Sequence, residues 1–144
     1  MVNISKADYT KAHIIFDFVW KLFNECEYYS SVLGVEKIKE LLLKDSMQAF
    51  LISKKKHNIG VLTLVESESI YSNGKFVIVN ELYLLPEYRT EKIIKLLLDT
   101  IKKIAIQKKW HRIELTIPDV FKDVMDYFRT GGYEEFGVRI RLAL

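Results

Sequence analysis

Asn80-Glu-Leu-Tyr-Leu-Leu-Pro-Glu-Tyr-Arg-Thr-Glu-Lys-Ile-Ile-Lys95 decides how the rest of this sequence is read. Its first half is apolar almost throughout, as a strand buried on both faces is. Pro86 cannot donate to a sheet ladder and ends that strand. From Thr90 onward Ile93, Ile94, Leu97, Leu98, Ile101, Ile104 and Ala105 recur at helical spacing, with Lys92, Lys95, Asp99, Lys102, Lys103 and Gln107 on the other face. A strand that turns directly into a helix sets the first backbone N–H groups of the helix beside the strand end, where a phosphate-bearing ligand can be held.

Outward from that centre the pattern stays regular. Arg112-Ile-Glu-Leu-Thr-Ile117 reads as the next strand, and strand, long helix, strand is a right-handed crossover between parallel neighbours or near-neighbours. On the N-terminal side, Ala49-Phe-Leu-Ile52 and Ile59 to Val65 are strand-like runs joined by the polar link Lys54-Lys-Lys-His-Asn58. Asn73-Gly74 marks a second hairpin turn, after which Phe76 to Leu85 completes a three-strand meander. Val2 and Ile4 alternate with polar neighbours as a first strand, and Asp8 precedes a helix carried by Ile14, Ile15, Phe18, Val19, Leu22 and Phe23. A short second helix follows through Val35, Ile38, Leu41 and Leu42. Downstream, a helix from about Val120 to Arg129 stops at Gly131-Gly132. Tyr133 to Leu144 alternates Phe136, Val138, Ile140 and Leu142, which predicts a last strand closing the sheet.

Composition narrows the function classes. The 144 residues are about half hydrophobic and suffice for one core, so one domain over 1–144 is expected. A net charge of +3 from 22 basic and 19 acidic residues is too mild to imply nucleic acid, and the short lysine clusters accompany no recognition fold. One cysteine, Cys26, excludes an internal disulfide framework and fits a reducing, cytoplasmic setting. Lysines interrupt every apolar run before it could span a membrane. His13, His57 and His111 fall in no metal-ligand spacing, and no metal is expected.

The element order and the segment Glu81-Leu-Tyr-Leu-Leu-Pro-Glu-Tyr-Arg89 together resemble the GCN5-related N-acetyltransferase (GNAT) superfamily, over essentially the whole chain. The resemblance implies an α/β (α+β) fold, a mixed central sheet of about six to seven strands with about four flanking helices. It implies acetyl-coenzyme A as cosubstrate and a primary amine, on a small molecule or a peptide, as acceptor. The family's pyrophosphate loop has Arg or Gln, two residues, Gly, one residue, then Gly or Ala. Here Lys92 and Ile94 stand at the two small-residue positions after Arg89. Small residues let phosphates approach backbone amides closely, whereas a lysine can offer charge instead. The cofactor-binding candidates are therefore Leu84, Arg89, Thr90, Glu91, Lys92, Ile93, Ile94 and Lys95, with the N–H near Leu84 polarising the acetyl carbonyl.

Two residues are candidates for proton transfer. Glu81 is a carboxylate inside an apolar strand, where desolvation raises a pKa toward the range of a useful base. Tyr127 precedes Gly131-Gly132-Tyr133, similar to the tyrosine that the family carries before a Gly-aromatic pair. Aligning Gly132 with that glycine puts Phe128 at the phenol position, and aligning Gly131 puts Tyr127 there; the sequence leaves both registers open. Glu25, Glu27, Tyr28 and Tyr29 lie in the connection that flanks the acceptor side in resembling proteins. A non-catalytic domain of the same fold, binding a protein or small molecule, is the alternative that the absent glycines favour. A homodimer through the C-terminal strand is a further expectation.

Overall fold

A computed structural model describes residues 1–27, 34–117, 119–142 and 144, and of 119 and 120 the backbone only. Among the described residues the strands are β1 (Val2–Ala7), β2 (Met47–Lys54), β3 (His57–Ser69), β4 (Gly74–Leu84) and β5 (Ile113–Leu115). The helices are α1 (Ala12–Cys26), α2 (Val35–Leu42), α3 (Glu91–Gln107) and α4 (Met125–Thr130). The sheet runs β1-β2-β3-β4-β5, antiparallel up to β4 and parallel between β4 and β5, across which α3 is the crossover.

Local chemistry accounts for the boundaries. Asp8 caps a 3-10 turn (Tyr9–Lys11) by accepting the Thr10 N–H at 2.9 Å, and α1 follows from it. Thr90 caps α3 through its side-chain oxygen. The β2–β3 hairpin turns on Lys55 and Lys56, both left-handed at φ 50° and 66°, which is the backbone sense that matches the twist of the strands. Asn73 at φ 56° and Gly74 at φ 131° make the other hairpin turn expected from the sequence.

The core lies where the strands are buried on both faces. Every residue from Ala49 to Ile52 and from Ile59 to Leu64 is buried, so helices must cover the sheet on each side. Ile15, Phe18, Val19 and Leu22 of α1 and Ile93, Ile94, Leu97, Leu98 and Ile101 of α3 supply that cover. Gly60 permits a close approach within the ladder, since a Cβ there would stand 2.2 Å from the Tyr83 carbonyl oxygen.

Two expectations are corrected. The sheet has five strands among the described residues rather than six to seven, because Tyr133 to Leu144 forms no strand. Phe136, Val138, Ile140 and Leu142 are 71%, 90%, 89% and 83% exposed. Alternation provides an apolar face but no ladder partner, and Gly137 at φ 73° interrupts the extended backbone. The helix expected over about Val120 to Arg129 is divided: a 3-10 stretch (Asp119–Val124) containing non-helical Phe121 precedes the shorter α4.

Gly60→Ala is expected to lower stability by roughly 2–3 kcal/mol, because backbone rather than a movable side chain opposes the new methyl. A urea titration checks this, and an unchanged midpoint would refute the close packing of β3 on β4.

Candidate active site

The sheet opens at β4. In β3–β4 pairing, Leu62 faces Leu82 but Leu64 faces Val79, so Asn80 and Glu81 together oppose Thr63. This is a β-bulge, and it bends β4. On its other side β4 pairs with β5 only at Val77, Ile78 and Val79, which meet Ile113, Glu114 and Leu115 in turn. From Asn80 to Leu84 that edge of β4 has no strand beside it among the described residues.

Backbone parity says what the open edge presents. The Leu85 N–H bonds the Ile59 carbonyl at 2.9 Å and the Glu81 N–H bonds Thr63 Oγ1 at 3.0 Å, so these amides point toward β3. Alternate amides point the other way, which puts the N–H groups of Leu82 and Leu84 on the open side. The Leu84 carbonyl, on that same side, accepts from Arg89 Nε at 2.9 Å.

Arg89 is held on every side. Its Nη2 lies 2.5 Å from Glu25 Oε2 at the end of α1, and its guanidinium stacks 4.1 Å from the Phe121 ring centroid and 5.3 Å from that of Tyr83. The Tyr83 hydroxyl donates to Glu25 Oε1 at 3.2 Å, and burial, with Glu25 beside it, pushes that phenol up to about 12. Burial and Glu25 also raise the Cys26 thiol against the opposing pull of Arg89, which keeps it a poor nucleophile at neutral pH. Glu25 is thus neutralised within the protein. Tyr28 and Tyr29, grouped with it in the sequence, lie outside the described residues.

At the start of α3 the Ile93 N–H bonds Thr90 Oγ1 at 3.4 Å and the Ile94 N–H bonds the Thr90 carbonyl at 2.9 Å. Among the described residues the amides of Thr90, Glu91 and Lys92 have no acceptor, and Lys92 and Lys95 are exposed without an ion pair. Ile93 and Ile94 are buried in the core. Of the two residues that replace small ones, Lys92 alone therefore projects outward.

Glu81 is half-buried, accepts from the Thr63 hydroxyl, and has its carboxyl raised by desolvation, with the Thr63 hydrogen bond pulling the other way. It shares strand parity with Tyr83, whose ring meets Phe18 of α1 at 6.1 Å, so it lies on the sheet face that α1 covers. Tyr127 is half-buried in α4 and is no hydrogen-bond partner of Glu81, Leu84 or Arg89 among the described residues. The stop of α4 falls at Gly132. Gly132, at φ 92°, donates to the Arg129 carbonyl at 3.0 Å, and Tyr133 donates to that of Phe128 at 3.1 Å. This is the six-to-one and five-to-two pattern of a Schellman stop, closed by the Phe128–Tyr133 edge contact. Phe128, four residues before Gly132, is buried, and Tyr127 beside it is half-buried. A polar groove of about 280 Å³ lined by Lys6, Leu43, Lys44, Gln48 and Lys108 lies elsewhere and includes none of these residues.

The family model for the acetyltransferase (GNAT) family matches residues 15–133. The chain belongs to the GNAT family. No curated protein sequence matches it. Among solved structures it is similar to an aminoglycoside acetyltransferase, meta-AAC0020, from an uncultured soil metagenomic sample, with a TM-score of 0.82 at 17% identity over 99% of this chain and 96% of that one. It is similar also to the ribosomal-protein-alanine N-acetyltransferase of Brucella melitensis biovar Abortus 2308, with a TM-score of 0.80 at 14% identity and 100% of both chains covered. A predicted acetyltransferase with acetyl-CoA from Clostridium acetobutylicum gives a TM-score of 0.80 at 15% identity, covering 99% of this chain and 96% of that one. At such identities these likenesses establish the fold. No helix among the described residues is long and apolar enough to cross a membrane.

Thr63, Tyr83, Glu25 and Phe121 were not assigned these site contacts from the sequence. Only the polar Thr63 in an otherwise apolar strand, facing the equally isolated Glu81, could have signalled one of them.

Two measurements test the electrostatics. In a double-mutant cycle of Glu25→Gln and Arg89→Gln, the coupling is expected to be on the order of 1–2 kcal/mol by denaturant unfolding; additive effects would mean that the pair is idle. Glu81→Gln is expected to raise the thermal midpoint at neutral pH. The raised carboxyl is neutral in both states at low pH, and stability is lost as pH climbs past the ordinary value of 4.5, where only the unfolded chain ionises freely. The advantage of Gln should therefore vanish in acid, and a pH-independent difference would contradict the raised value.

Proposed function

We propose that this protein is an N-acetyltransferase that moves an acetyl group from acetyl-CoA to a primary amine of a small molecule or peptide by direct attack. The observation that carries this reading is the open β4 edge, where among the described residues the Leu84 N–H has no strand partner, next to a desolvated carboxylate and a helix start. The thioester supplies the activated acetyl group. Leu84 N–H polarises its carbonyl, the amine nitrogen bonds to the carbonyl carbon, and the carbon–sulfur bond breaks. Glu81 takes the proton that the amine must lose.

The residues fit the cosubstrate's phosphates in an altered way. The amides of Thr90, Glu91 and Lys92, with the Lys92 and Lys95 ammonium groups, hold the phosphates. Arg89 braces the turn from Glu25, and Ile93 and Ile94 anchor it in the core. Tyr127 protonates the departing thiolate. An aminoglycoside is one acceptor of the right chemistry, as a polycation beside Glu81.

One observation favours a second reading, a non-catalytic domain that binds a partner. It is supported by the Schellman stop at Gly132: with that glycine read as the family's, buried Phe128, which has no acidic hydrogen, is the counterpart of the family's tyrosine.

Calorimetric titration with acetyl-CoA separates the two. Binding in the micromolar range, about −8 kcal/mol, is expected, and Lys92→Ala/Lys95→Ala should weaken it at least tenfold. No binding by the folded wild-type protein would overturn the transferase reading and favour the second.

A further inference from the structure

Thr63 stands in the middle of β3, 2% exposed, among apolar neighbours. A buried hydroxyl there is costly unless it is satisfied. It is satisfied twice by one residue: Thr63 Oγ1 accepts the Glu81 N–H at 3.0 Å and donates its own proton to the Glu81 carboxylate. The first bond closes the amide that the bulge leaves without a ladder partner. The second fixes the side chain of the same residue.

We propose that Thr63 is a positioning residue that clamps both the backbone and the carboxylate of Glu81, holding that carboxylate in place to receive the amine's proton. The inference rests on the reading of Glu81 as the base. Neither an acid nor a cation faces Glu81 among the described residues; burial and the Thr63 hydroxyl are what act on it. A donor on the carboxylate favours its charged form, so Thr63 opposes the desolvation that raises the Glu81 carboxyl.

The test compares Thr63→Val with Thr63→Ser. The Glu81 carboxyl is followed by carbon-13 NMR titration, assigned by Glu81→Gln, alongside pH–rate profiles with acetyl-CoA and a polyamine. Thr63→Val is expected to raise the Glu81 titration by about one pH unit, and the acidic limb of the rate should move with it. Thr63→Ser should restore both. An unmoved titration in folded Thr63→Val, or in Thr63→Ala should the valine variant fail to fold, would overturn the inference. A titration that moves while the acidic limb stays fixed would keep the Thr63 clamp and overturn Glu81 as the base.

Discussion

The register change opposite Thr63 is the constraint on which the rest of the site depends. Two residues of β4 against one of β3 bend the strand, and beyond the bend β4 and β5 no longer pair. The backbone polar groups beyond that point face an opening instead of a ladder. Without the bulge, Leu82 and Leu84 would have their outward amides spent on the sheet, and Glu81 would lose its place beside Thr63. The fold thus leaves one edge of β4 without a strand neighbour, among the described residues, by interrupting its own hydrogen bonding.

The tight packing around this interruption makes it tolerable. β2 and β3 are buried on both faces, and α1 and α3 clamp them. Gly60 lets the Tyr83 backbone sit unusually close, and the Arg89 contacts with Glu25, Tyr83 and Phe121 fasten the turn that follows β4. Those aromatic and ionic contacts occur where irregular backbone would otherwise be loosely held.

Much of the fold was legible because period decides burial. α1 and α3 carry an unbroken pattern of about 3.6, and the meander strands are continuous apolar runs buried on both faces. Tyr133 to Leu144 shows the boundary of that logic: its alternation is as clean as any, yet a strand needs a neighbour, and a pattern does not name one. The start of α3 was legible from Thr90, and so were its faces, since Ile93 and Ile94 are buried and Lys92 and Lys95 exposed as their spacing predicts. Glu25 was grouped with the acceptor-side residues, while its partner Arg89 lies 64 positions away in sequence, a separation across which no local pattern speaks.

The Glu25–Arg89 contact has a thermodynamic consequence. It joins the end of α1 to the turn before α3 through a single guanidinium. Drawing that guanidinium away from Glu25 costs the free energy of the pair, and by linkage the pair is weakened by as much as it opposes whatever draws it away.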